Sequence, residues 1–427
     1  MSVSQADFKR ALEHGRPPNI SALFPNSQAL IVSGKVVDRA MLTKGRCMTI
    51  AANARNPFII RGVLAAAQRA QAAVIIEIAR SEGGAKAYCP VNYWNMATLV
   101  DSMINEMGIT IPVAIHADHY GLKKPEDLDF AKVEIPTLFE HGITSIAIDA
   151  SHMPDDQNLL TNLALSQLVP SWAGYETEVG EIKGSSGLST SDEALFLIQG
   201  LNAHNIFPNW IALNNGTTHG IEASDTGIDV ELTRTIHDQL TPYKISGAQH
   251  GTSGNSSDRL RAIAEKTRTT KANVATALQM VSWGVEVNDY GNAKLDGQGH
   301  FIKLKNAGVS EKLWEEMVAF ADSQGWKGGN YKNLNLPFAN RLTGQPLVIR
   351  QRMAKGVEDF VYKLLTEVFN AEGTAELAVA TILQQGGYDL GPKAEQLEDP
   401  SQWTGEKIAQ RAATLETDKG PQGDFDD

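Results

Sequence analysis

Between residues 47 and 289 the chain alternates short apolar runs rich in Val and Ile with longer stretches of amphipathic, helical composition. The runs occupy 47–54, 72–79, 111–118, 145–151, 175–180, 209–216, 243–251 and 283–289. Between them lie segments such as IIRGVLAAAQRAQ before the second run and EDLDFAKVEIPTLFEH before the fourth. Strands alternating with helices predict a parallel α/β fold. Eight such units in roughly 250 residues is the size of a closed (β/α)8, or TIM, barrel. The rival is a doubly wound open sheet, but the Gly-rich dinucleotide fingerprint expected after its first strand is missing.

The flanks follow other patterns. In the first 46 residues a helix and a hairpin-like cover are expected, because LIVSGKVVD reads as two short strands around Ser33-Gly34. Beyond Gly299 the helical stretches SEKLWEEMVAFADSQ and KGVEDFVYKLLTEVFNA appear, and the acidic tail KGPQGDFDD is expected to be disordered. The predicted organisation is a catalytic barrel with an N-terminal cover over 1–300 and a helical C-terminal extension over 301–427.

Composition then removes whole classes of function. With 42% hydrophobic residues in 427, the chain can bury a large core, and its net charge of −12 offers no basic field for nucleic acid. Cys47 and Cys89 are too few for a disulfide framework and do not form a CxxC pair, so a reducing, cytoplasmic setting is expected. No stretch approaches the ~20 apolar residues of a membrane span, and from the charged N-terminal segment no targeting signal is expected.

The unusual polar residues gather where the runs end. In a barrel of this kind, catalytic groups come from the C-terminal ends of strands. The third run ends in His116-Ala117-Asp118-His119 and the fifth contains Glu176-Thr177-Glu178. The sixth leads into Asn214-Asn215-Gly216-Thr217-Thr218-His219-Gly220, and the seventh into Gln249-His250-Gly251-Thr252-Ser253-Gly254. A lone histidine is most often a structural hydrogen-bonding residue. Three at equivalent heights on three strands point toward one opening, and three nitrogen ligands with an open fourth position make a catalytic zinc site. The Gly/Ser stretches at Ser81-Glu82-Gly83-Gly84, Gly220 and Gly251 to Gly254 could let backbone N–H groups approach a phosphate, although such loops usually only turn the chain.

At these residues the sequence resembles the class II fructose-bisphosphate and tagatose-bisphosphate aldolase family, from about Ala52 to Asn288. His116-Ala117-Asp118-His119 is similar to that family's His-x-Asp-His element. The stretch from Glu140 to Ser151 is similar to its Glu-x-Gly-(apolar)-x-Ser-x-x-x-Asp-x-Ser signature, and the later Glu-x-Glu, Gly-Thr-x-His-Gly and His-Gly-x-Ser-Gly elements follow in order. The resemblance implies that His119, His219 and His250 bind a metal, with Glu178 beside or on it, and that Asp118 is the acid/base. It implies that Asn53, Ser81, Gly220, Gly251, Ser253 and Asn288 hold the dihydroxyacetone-phosphate part of the substrate. Zn2+ or another divalent metal is implied, with a monovalent cation near the phosphate, a phosphorylated sugar as substrate and a homo-oligomeric state.

Two departures stand out. The family's Gly-Gly-Glu-Glu-like acidic loop is replaced by Glu181-Ile182-Lys183-Gly184-Ser185-Ser186-Gly187, and its Asn-(apolar)-Asp-Thr element at the eighth strand becomes Asn288-Asp289-Tyr290-Gly291. Arg341, Arg350 and Arg352 are candidates for a second phosphate across a subunit interface. Two other functions compete with the aldolase. One is a metal-dependent barrel hydrolase or epimerase that activates water, and the other is a catalytically silent sugar-phosphate-binding subunit. The Asp beside His119 and the Gly/Ser loops favour the aldolase.

Overall fold

The computed structural model describes residues 3–180, 187–217, 227–288 and 291–415. A short strand β1 (Ile31–Val32) is followed by β2 (Thr49–Asn53), β3 (Val74–Ala79), β4 (Val113–Gly121), β5 (Ser145–Asp149), β6 (Gly174–Val179), β7 (Trp210–Leu213), β8 (Ser246–Gln249) and β9 (Thr269–Val274). All pairings are parallel. β2 pairs with β9 and β4 with β5, so β2 to β9 close into the eight-stranded barrel expected from the sequence. β1 adds to the start of β4 through Ile31 and Val113.

A helix follows each barrel strand: Pro57–Ala70, Met96–Met107, Asp127–Glu140, Asp155–Ser166, Ser191–Ala203, Val230–Gln239, Ser257–Lys266 and Thr276–Trp283. Local chemistry sets where they start. Asn56 accepts from the backbone N–H of Phe58 and Ile59, with Pro57 pre-set for the first turn. Thr190 and Glu193 close a capping box.

Two sequence expectations are corrected. The eighth barrel strand is Thr269–Val274, and 283–289 is not a barrel strand. The alternation of Val285 and Val287 does mark extended chain, but these residues form antiparallel bridges to Lys303 and Ala293. LIVSGKVVD is not a hairpin either. Ser33 accepts from the Lys35 N–H and starts the helix Gly34–Lys44, whose Val36, Val37, Ala40 and Met41 are buried at helical spacing.

The C-terminal helices pack on the barrel. Val357 and Val361 of Leu347–Lys363 join the main core, and Gly62 in Pro57–Ala70 makes room for them: a Cβ there would lie 2.5 Å from Val357 Cβ. At the N-terminal end of the barrel, Lys393 Nζ reaches Asp38 Oδ2 at 2.6 Å and Ser246 Oγ at 2.8 Å, while Thr270 Oγ1 donates to Asp38 Oδ1 at 2.8 Å. No helix among the described residues is long and apolar enough to cross a membrane. The tail 419–427 lies outside the described residues.

Candidate active site

Residues two apart on a strand face the same side, so β4, β6 and β9 each send a pair of polar groups inward: His116 and Asp118, Glu176 and Glu178, Lys271 and Asn273. The lower layer is a buried charge cluster. Lys271 Nζ lies 2.8 Å from Glu176 Oε2, 3.1 Å from His116 Nε2, 3.3 Å from Glu77 Oε2 and 3.5 Å from Asp118 Oδ1. Burial alone would lower the Lys271 pKa, but Glu176, Glu77 and Asp118 together raise it, so the ammonium stays charged. Burial, then the neighbouring Asp118, push Glu77 well above the usual carboxylate range. Burial and then Lys271 push His116 well below the usual imidazole range. The neutral His116 ring is therefore fixed between Lys271 and Ser145 Oγ, 2.5 Å from Nδ1.

His119 breaks the strand alternation. A β-bulge between Ala117 and Tyr120, with His119 at φ 38°, turns its ring inward beside Asp118 instead of out toward the helices. A β-carbon residue in that left-handed region is strained, and strain of this kind collects where a side chain must be aimed. His119 Nδ1 lies 3.2 Å from Glu178 Oε1 and 3.3 Å from Asp149 Oδ2. Asp149 also accepts from Ser151 Oγ at 2.6 Å. Burial would raise Asp149, but hydrogen bonding and charge from His119 hold it well below the usual carboxylate range.

His250 completes the cluster from the end of β8. Its ring centroid is 4.2 Å from that of His119. Nε2 donates to Glu176 Oε1 at 2.9 Å, which sets Nδ1 facing Glu178 Oε2 at 3.7 Å. A carboxylate holding one ring nitrogen so that the other is presented for coordination is the usual arrangement behind a metal-ligating histidine. Burial, then Asp149, push Glu178 well above the usual carboxylate range. A cation between these groups would reverse that. The donor set fits a divalent metal: Asp118, His119 and His250, and likewise Glu176, Glu178 and His250, bring ligand atoms within 4.8 Å of one another.

Above the cluster opens a cavity of about 270 Å³. Asn53, Asp118, His119, His250, Gly251 and Ser253, all expected from the sequence, line it. Among the described residues, the buried atoms Asn53 Oδ1, Ser253 Oγ and Asn273 Oδ1 on its walls have no hydrogen-bond partner, which is the mark of a site built for a polar ligand. Glu178 stands behind His119. His219 and Gly220 lie outside the described residues, as do Glu181 to Ser186 of the altered loop.

Other expected residues are not brought to the cavity. Ser81 is exposed, and its neighbours Ala79 and Glu82 line the wall instead. Asn288 sits beyond the helix that follows β9, where its Oδ1 accepts from the Asn292 N–H at 3.0 Å. The asparagine at the end of the eighth strand is Asn273. Asn273-Val274-Ala275-Thr276 carries the Asn-(apolar)-x-Thr pattern sought at 288, with Ala275 in the aspartate's place. Arg341 pairs with Glu316 and Arg352 donates to Gly308 O at 2.6 Å, and none of the three arginines lines this cavity.

Sequence reasoning missed Asn273, Thr276, Lys271, Arg55 and Lys332. The first three belong to TTKANVAT, where a lysine in the middle of the strand hides the apolar signal. Arg55 is buried against Glu82, with Nη2 to Oε1 at 2.6 Å.

The comparisons agree with this geometry. The family model described as fructose-bisphosphate aldolase class-II matches residues 35–325. The chain is 28% identical over 238 residues to a Streptococcus pneumoniae fructose-bisphosphate aldolase, covering 53% of this chain and 73% of that one. To a Staphylococcus epidermidis fructose-bisphosphate aldolase it is 28% identical over 145 residues, 34% of this chain, so the match spans about half, 46%, of that relative's length. In fold it is similar to the YdjI aldolase from Escherichia coli K12, with a TM-score of 0.53 and 18% identity over 81% of this chain and 100% of that one. With the family model matching residues 35–325, most of the chain, the chain belongs to the class-II fructose-bisphosphate aldolase family.

Proposed function

We propose that this protein is a metal-dependent aldolase that reversibly cleaves a ketose 1,6-bisphosphate, with fructose 1,6-bisphosphate the first choice. The products are dihydroxyacetone phosphate and glyceraldehyde 3-phosphate, in glycolysis or gluconeogenesis. The observation that carries this reading is the convergence of His119, His250 and Glu178 beside Asp118 under one polar-walled cavity.

His119 and His250 would hold the metal with Glu178 on or beside it, and His219 is proposed as a third histidine from its motif. When bound, a divalent cation supplies an electrophile for the ketone oxygen, which acidifies the adjacent C–H. Asp118 lies at the cavity floor, where it hands a proton to the aldehyde oxygen as the carbon–carbon bond forms and takes it back in cleavage. Asn273 Nδ2 donates to Asp118 Oδ1 at 2.8 Å and fixes its orientation. The backbone of Gly251 and the hydroxyl of Ser253 are proposed to hold the donor phosphate, so that an anionic substrate needs no basic surface. Gly220 is assigned to the same phosphate by its motif.

Lys271 is not suited to an imine mechanism. It is fully buried, does not line the cavity and is held charged by the acidic side chains around it, with Glu176 Oε2 the nearest at 2.8 Å. Proton exchange next to the carbonyl, followed in deuterated water, tests the reading. Dihydroxyacetone phosphate should exchange at least about tenfold faster than dihydroxyacetone, because remote phosphate binding contributes to turnover. Equal exchange with both donors contradicts it.

A further inference from the structure

His119 faces the cavity only while the β-bulge between Ala117 and Tyr120 holds. In a regular strand the residue after an inward-facing Asp118 points outward, so the bulge decides whether this imidazole reaches the cluster. A backbone held at φ 38° persists only where its surroundings fix it.

One side chain touches the chain on both sides of His119. Tyr93, fully buried in the loop before the helix Met96–Met107, donates from Oη to the backbone O of Asp118 at 3.0 Å. That carbonyl belongs to the planar peptide joining Asp118 to His119, so gripping it fixes how His119 leaves the strand. Beyond His119, the Tyr93 ring stacks on Tyr120, with centroids 6.5 Å apart and planes inclined by 26°. Tyr93 is itself tied down, its N–H donating to Gly83 O at 3.0 Å. It does not line the cavity, and its route to the site runs through the bulge.

We infer that Tyr93 is a positioning residue that locks the bulge at His119 and so holds that imidazole toward the metal. This rests on the metal-dependent reading above. Removing the hydroxyl leaves the ring packing in place but frees the Asp118–His119 peptide to turn, and a fraction of the protein then carries His119 away from the cluster.

The experiment is titration of the metal-free full chain with cobalt(II), reading both affinity and visible spectrum, for the wild type, Tyr93→Phe and Tyr120→Phe. Tyr120→Phe is the control, since its hydroxyl donates to Glu134 Oε2 at 2.5 Å and not to the chain around His119. Tyr93→Phe should weaken cobalt binding by about tenfold to a hundredfold, the usual cost of losing a group that orients a ligand, and should alter the visible bands. Tyr120→Phe should change neither. Wild-type affinity and spectrum in a folded Tyr93→Phe protein overturn the inference, because a residue that only packs lowers stability without touching the metal. Equal changes in Tyr93→Phe and Tyr120→Phe overturn it as well, since they trace to a loosened aromatic cluster. If Tyr93→Phe does not fold, Tyr93→Met refolded with cobalt present is read in the same way. A wild type that binds no cobalt overturns the metal-dependent reading together with this inference, whereas a wild-type spectrum that Tyr93→Phe leaves unchanged overturns the inference alone.

Discussion

Asn273 Nδ2 donates to Asp118 Oδ1 at 2.8 Å, joining the end of the eighth barrel strand to the residue proposed as acid and base. Asp118→Ala should keep the bound metal and lose about 10²–10⁴-fold in turnover, the usual contribution of a positioned proton-transfer group. Asn273→Ala should cost less, about tenfold, because it removes orientation and leaves the carboxylate in place. Metal content measured beside kcat checks both. Loss of metal from Asp118→Ala would make that residue a support for His119.

His119→Ala and His250→Ala should each abolish stoichiometric metal binding, and His219→Ala should do the same. Glu176→Gln should weaken metal affinity by about tenfold to a hundredfold, since Glu176 orients His250 from behind. Metal titration with an optical competitor reads all four variants. Full metal occupancy in His119→Ala or His250→Ala would remove those residues from the ligand set.

A pH-dependent loss of stability is expected from His237, far from the site. Burial, then Arg268, push its pKa down to about 3 from the ordinary 6.5. The folded ring stays neutral, with Nδ1 accepting from the Arg268 N–H at 3.2 Å, while the unfolded ring takes a proton as pH falls below 6.5. The unfolded state then binds more protons, so this stability is present above pH 6.5 and is lost as pH falls toward 3. At about 1.4 kcal/mol per pKa unit the full effect is a few kcal/mol. Urea unfolding across that range should show a shallower pH slope in His237→Gln than in the wild type. Equal slopes would show that the ring does not titrate in this way.

The extension is predicted to stabilise the barrel through Lys393. Lys393→Met leaves Asp38 buried beneath the strands with its main cationic partner removed, which should destabilise by about 3–5 kcal/mol. Adding Asp38→Asn should recover part of that loss. Denaturant midpoints of the single and double variants decide it, and additive effects would mean that the two residues do not act as a pair.

The barrel was legible in the sequence because seven of its strands announce themselves as apolar runs. The eighth did not, because Lys271 and Asn273 turn inward to the charge cluster and leave TTKANV without an apolar signature. WGVEVND took its place in the reading because Val285 and Val287 alternate in a bridged segment outside the barrel. His119, His250 and Asp118 were legible from motif order alone. Spacing along one strand could not show that Glu176 braces His250, that Asp149 braces His119, or that a segment more than two hundred residues from β3 would place Lys332 over the same cavity. Those relationships arise only when the barrel closes.

The most direct measurement follows triose phosphate release from fructose 1,6-bisphosphate by the full chain, before chelation, after chelation and after zinc is restored. The account predicts cleavage that disappears with the metal and returns with it, and no adduct trapped by borohydride in the presence of substrate. Undiminished cleavage by metal-free protein, or a borohydride-trapped adduct on a lysine, would contradict it.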